Sequence, residues 1–149
     1  MKFSAREDIE VPIAAVYRHV TDFEAIQTQL SGRGIEVERD ANAPVGQVGA
    51  RWTARFFYKA RSHDLEAELV ALDPDQGYAV ESRSGGVIGL TVVDLVALSP
   101  TRTRILVSLE LRPTNLSSRL LVQSLKLAKG RLNRRFKSRV VDYATGISV

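Results

Sequence analysis

From Phe3 to Val11 the chain alternates. Phe3, Ala5, Ile9 and Val11 fall in one phase, and Ser4, Arg6, Asp8 and Glu10 in the other. Successive side chains leave a strand on opposite sides, so this period of two predicts a strand with one wet face. Glu7 sits alone among the apolar set. Pro12 follows at a position that suits a first helical turn, where an N–H would go unpaired anyway. Ile13, Val16, Tyr17 and Val20 then carry the spacing of a short amphipathic helix. Thr21 with Glu24 three residues on reads as a capping box opening a second helix over 22–30, which Ser31-Gly32-Arg33-Gly34 ends.

Residues 35–112 read as strands and turns. Ile35 and Val37 alternate with Glu36 and Glu38. Trp52, Ala54, Phe56 and Tyr58 alternate with Arg51, Thr53 and Arg55. Leu65, Ala67, Leu69 and Ala71 alternate with Glu66 and Glu68. The run from Asp73 to Gly77 is a turn by composition, Tyr78 and Val80 continue the alternation, and Gly85-Gly86 turns the chain again. Residues 87–98 are apolar in both phases, and Asp94 marks Thr91, Val93 and Leu95 as the inward set. Thr103, Ile105, Val107, Leu109 and Leu111 alternate with Arg104, Ser108 and Glu110. About seven strands at hairpin spacing predict an antiparallel sheet.

After Pro113 the period becomes 3.6. Leu121, Leu125, Ala128, Leu132, Phe136 and Tyr143 lie on one stripe of a single helix over 115–144, with Gly130 its one internal weak point. A rod about 45 Å long needs a wide apolar partner, which a curved sheet supplies. The expectation is one α+β domain over 1–149.

The order strand, two short helices, six strands, long helix resembles the helix-grip fold of the START-like superfamily, also called SRPBCC or polyketide cyclase/dehydrase, with Bet v 1-like members. Ile9-Glu10-Val11-Pro12-Ile13-Ala14-Ala15-Val16-Tyr17 resembles the family's strand–Ala-Pro–helix opening, and Thr21-Asp22-Phe23-Glu24 the start of its second helix. Gly49-Ala50-Arg51-Trp52 resembles a strand start of the family. Leu72-Asp73-Pro74, Thr101-Arg102-Thr103 and the closing run Leu125 to Leu132 also fit. The resemblance spans almost the whole chain and rests on markers of fold, not of catalysis. It implies a seven-stranded curved antiparallel sheet wrapped around the C-terminal helix, with a hydrophobic small molecule or lipid held between them.

Composition agrees with one domain. Of the 149 residues 44% are hydrophobic, enough for a core without staples, and 26% are charged. There is no cysteine, hence no disulfide or thiolate chemistry. The charged N-terminus has no apolar stretch behind it, and no run is long enough to span a bilayer, so a cytoplasmic location is expected. The net charge of +4 is unevenly placed. Residues 115–149 hold eight basic side chains against one acid, Asp142, and are +7; the other 114 residues are −3.

Candidate chemistry is sparse. His19 and His63 fall in different elements, so no metal or other cofactor is expected. His63 and Asp64, adjacent on a strand, point to opposite faces and cannot pair. Glu66 and Glu68 share the wet face of their strand. Arg119, Lys126, Arg134 and Lys137 face away from the apolar stripe, where they could meet phosphates, lipid headgroups or an acidic protein. No aromatics interleave for base stacking, which argues against nucleic acid. Nor does the exposed side of the helix show, in this reading, large apolar residues for insertion into a bilayer. Peripheral membrane contact through the basic helix stays open, as do a monomer and a homodimer. Arg139 at the centre of the stripe and Arg135 on its edge must snorkel to water, find Glu7, or anchor a ligand anion.

The functional expectation is binding of a hydrophobic or amphipathic small molecule. Trp52, Phe56, Tyr58, Val80, Leu109, Leu121, Leu125 and Leu132 would line the cavity, with Arg135 and Arg139 as anion anchors. The alternatives are a cyclase- or dehydratase-type enzyme with Tyr58, Tyr78 or His63 as acid/base candidates, and an interaction module acting through the basic helix.

Overall fold

A computed structural model describes residues 1–148. Strand β1 (Lys2–Ile9) leads into helices α1 (Ile13–Val20) and α2 (Phe23–Gly32). Strands β2 (Glu36–Arg39), β3 (Arg51–Tyr58), β4 (Arg61–Asp73), β5 (Gly77–Ser84), β6 (Val87–Ser99) and β7 (Arg102–Pro113) follow, then helices α3 (Leu116–Leu127) and α4 (Lys129–Thr145). The seven strands form one antiparallel sheet in the order β1-β7-β6-β5-β4-β3-β2. Register shifts at Leu69/Ala71 in β4 and Ala97/Ser99 in β6 are the sites where an extra residue bends a strand. The helices cover the concave face, so the fold is the α+β helix grip expected from the residue pattern.

Gly89, Val93 and Leu95 are buried on β6 with Thr91 partly so, which fixes the inward phase that Asp94 indicated. The core gathers at one end of the sheet. Ile9, Val11, Val16, Val20, Val93, Leu95 and Ile105 meet Ala144 and Ile147 from the C-terminal turn. Thr103 is fully buried there, and its hydroxyl donates to the Val11 carbonyl at 2.7 Å, tying β7 to the chain entering α1. Thr103→Val keeps the shape but strands that carbonyl, and should cost about 1–3 kcal/mol in urea unfolding; an unchanged midpoint would mean the bond contributes nothing net.

Two local expectations are corrected. The cap of α2 is Asp22, whose carboxylate accepts from the Ala25 N–H at 3.1 Å. Thr21 instead closes α1, donating to the Tyr17 carbonyl at 2.6 Å. Ser, Thr and Asp all cap well, and with Thr21-Asp22 adjacent the pattern fits either residue.

The C-terminal helical segment is interrupted. Ala128, at φ −106° and ψ 15°, separates α3 from α4. Its N–H turns back to Leu125, and the helical ladder restarts with Leu132 bonding to Ala128. Helix α3 packs on β7 and α4 on β1, where Phe136 lies 5.9 Å from Phe3. The hollow between sheet and helices is not sealed by this break.

Candidate functional site

The hollow holds a cavity of about 510 Å³ under α1, α2 and α4. The sheet floors it with Tyr78 from β5, Thr91 and Val93 from β6, and Ile105 and Val107 from β7. Val20, Ile26 and Leu30 wall it from α1 and α2, and Phe136, Val140 and Tyr143 from α4. Inward-facing strand positions and one side of each helix converge there, because their apolar stripes have no other partner. The rim is polar, with His19, Gln29, Arg33, Arg139 and Asp142 all exposed.

Two phenols give the cavity its polar character. The Tyr143 hydroxyl donates to the His19 carbonyl at 3.3 Å, joining α4 to α1. The Tyr78 ring meets Phe23 edge-on at 5.2 Å, and its hydroxyl has no hydrogen-bond partner among the described residues. Burial pushes the Tyr78 phenol well above its ordinary range, and Tyr143 nearby adds to the shift. Burial raises Tyr143 as well, reinforced by Asp22. Both are therefore donors at any physiological pH, and Tyr78 is poorly suited to act as a base.

A folded-state phenol value above the unfolded one gives stability that is complete below about pH 10 and is lost as pH rises towards the folded value. Urea unfolding should thus show a weaker fold at pH 11 than at pH 9, and Tyr78→Phe should lessen that fall. Absorbance titration at 295 nm with all four phenols ionising in their ordinary range, the fold intact, would contradict this.

Next to the cavity lies an apolar cleft of about 380 Å³, lined by Phe3, Tyr58, Leu109, Leu111, Leu125 and Leu132, with Arg135, Phe136 and Arg139. Phe136 and Arg139 border both spaces. Six residues singled out in the sequence, Tyr58, Leu109, Leu125, Leu132, Arg135 and Arg139, are brought together at this cleft. The other four are not. Trp52 packs on Phe23 of α2 at 5.5 Å, Phe56 stacks on His63 at 5.4 Å, and Val80 and Leu121 line neither space.

His63 also stands apart, its Nε2–H donating to the Tyr58 carbonyl at 3.2 Å. Asp64 is on the opposite face, paired with Arg55 at 3.0 Å. Glu7 forms no ion pair with Arg135 or Arg139 among the described residues. Both arginines snorkel, with stems along the cleft and heads exposed. Among the described residues no three His, Cys, Asp or Glu side chains cluster as metal ligands, and no helix is long and apolar enough to cross a membrane.

Sequence reasoning missed the α2 wall and the last turns of α4. Ile26 and Leu30, four residues apart on one face of α2, were the available signal.

This arrangement of sheet, helices and half-open cavity is a helix-grip fold. The chain matches no protein-family model and no curated protein. Among solved structures it is similar to TTHA0849 from Thermus thermophilus, at 17% identity over 97% of this chain and 95% of that one, with a TM-score of 0.68. It is similar to Ara h 8.0201 at 15% identity over 95% and 98%, with a TM-score of 0.61. It is also similar to the ZhuI aromatase/cyclase from Streptomyces sp. R1128, at 12% identity over 78% and 70%, with a TM-score of 0.61.

Proposed function

We propose that this chain binds a hydrophobic or amphipathic small molecule, of lipid or polyketide-like character, in the cavity and cleft between the sheet and the C-terminal helices. The observation that carries this reading is the 510 Å³ cavity itself, apolar on its walls, with one unpartnered phenol inside and guanidinium groups at its mouth. A space of that size suits a drug-sized ligand and binds it chiefly by removing apolar surface from water. Tyr78 would donate to a ligand oxygen. Arg33 and Arg139, without ion-pair partners among the described residues, would hold a ligand carboxylate or phosphate at the rim. Native mass spectrometry of the purified chain tests this directly: a bound small molecule should be retained at mild activation and released at higher energy. A chain that stays bare after incubation with a panel of lipophiles would refute it.

A second reading is a cyclase- or dehydratase-type enzyme, favoured by one observation: a phenol held protonated inside the cavity is a hydrogen-bond donor to a carbonyl or a departing hydroxyl. In that case the recovered ligand loses one water on incubation with the native chain and not with Tyr78→Phe. A plain binder leaves its mass unchanged with both.

A further inference from the structure

Helix α3 has two apolar faces. Ser118, Val122 and Leu125 turn inward towards β7 and the cleft. Counting 100° per residue, Leu116, Leu120 and Leu127 fall within about 40° of one another, about 180° from that inward face. They are 73%, 61% and 92% exposed. The expectation that the helix's outer side lacks large apolar residues is thereby overturned. Three leucines in register and open to water are an unpartnered stripe.

What surrounds the stripe is positive. Arg119 and Lys126 flank it on α3, and Lys129, Arg131, Arg134 and Arg135 follow in α4, all exposed. The six ion pairs among the described residues all lie between Asp8 and Arg104, so none neutralises this segment. The tip of the β3–β4 hairpin points to the same end of the molecule, since Tyr58 lines the cleft beside Leu125 and Leu132. There Phe57 is 76% exposed, and Lys59, two residues on, is exposed as well.

We propose that the outer face of α3, with the β3–β4 tip beside it, docks on an anionic lipid surface. Leu116, Leu120 and Leu127 would enter the acyl boundary while Arg119, Lys126 and the basic start of α4 meet the headgroups. Apolar insertion and cationic attraction together are what interfacial helices use, and each adds where the other is weak. A second copy of this chain is the poorer occupant, because it would press two segments of strong positive charge together. Nucleic acid offers the leucines nothing. Docking needs no occupied cavity. That it sets the mouth of the apolar cleft against the bilayer, so that a lipophile passes between the two, rests on the ligand reading above.

The test is co-sedimentation of the full chain with vesicles of phosphatidylcholine alone, or of phosphatidylcholine with phosphatidylglycerol, at low and high salt. The native chain should sediment with the anionic vesicles, at least about tenfold more tightly than with neutral ones, and less so at high salt. Leu116→Ser/Leu120→Ser/Leu127→Ser should lose on the order of tenfold in affinity, with an unchanged circular dichroism spectrum because these side chains support no core. Arg119→Glu/Lys126→Glu should also weaken binding, and more at low salt than at high. The proposal is overturned if the native chain stays in the supernatant with anionic vesicles. It is overturned too if the leucine variant binds as the native chain does, since charge alone would then suffice. A leucine variant that only turns a dimer into a monomer would instead make this face a contact between copies. Vesicle sedimentation does not read cavity occupancy, so a negative result leaves the ligand reading standing.

Discussion

Replacing Gly77 by alanine should destabilise the fold by about 4 kcal/mol or more, among the largest effects available to a single methyl group. Gly77 opens β5 at φ +148°, a region that side-chain-bearing residues avoid, at a cost of about 1–3 kcal/mol. A Cβ there would also collide with the Val93 carbonyl on β6 and crowd the Asp94 backbone. Neither is the flexible end of a side chain, so relief requires β5 and β6 to part where Gly77 pairs with Asp94 and Tyr78 with Val93. The melting temperature should fall by more than about 10 °C. Gly85 is the control: its φ is +55°, nothing lies within 4 Å of an added Cβ, and alanine there should cost only about 1 kcal/mol. Equal melting points for the two variants would mean the close approach of β5 to β6 at Gly77 is not needed. Gly77 also bears on function, because the residue it positions is Tyr78.

The alternating strands were legible because a strand reports its buried face every second residue, and even the doubly apolar β6 gave up its phase through Asp94. The break at Ala128 was not. Leu121, Leu125, Leu132 and Phe136 keep a helical spacing on both sides of it, and the pattern of apolar side chains does not register one residue whose backbone leaves the ladder. The outer stripe of α3 was present in the sequence as Leu116, Leu120 and Leu127. It was masked by the stronger inner stripe, since a single apolar face is the usual state of a surface helix.

The residues expected at a site come together mainly where neighbouring positions on one helical segment bring them there. Leu125, Leu132, Arg135 and Arg139 share a helical segment, and their meeting with Leu109 and Tyr58 follows from the grip. Trp52 and Phe56 look equally cavity-facing on β3. They are taken up by Phe23 of α2 and by His63 of β4, neighbours that no periodicity within β3 reveals.

Filling the cavity should abolish ligand retention while leaving the fold intact. Thr91 and Val107 stand on the floor at adjacent strands, partly buried and open to the space beneath α2 and α4. Thr91→Trp/Val107→Trp places two indoles where the apolar body of a ligand would lie, and should bring the remaining space below the roughly 300 Å³ at which small-molecule sites begin. Overpacking a tight core costs about 1–3 kcal/mol, but here the rings enter open volume and gain apolar contact, so the melting point should hold within a few degrees. Native mass spectrometry should then record a bare chain in place of the liganded one, a loss of more than tenfold in occupancy. The matched control puts the same indoles on the outer face, at Thr53 and Val96, where both side chains are exposed. That variant should retain ligand as the native chain does. If the filled variant keeps its ligand, the molecule sits elsewhere, and the apolar cleft at Tyr58 and Leu132 becomes the place to block next. If both variants lose it, the sheet's curvature rather than the space above its floor is what the tryptophans have changed.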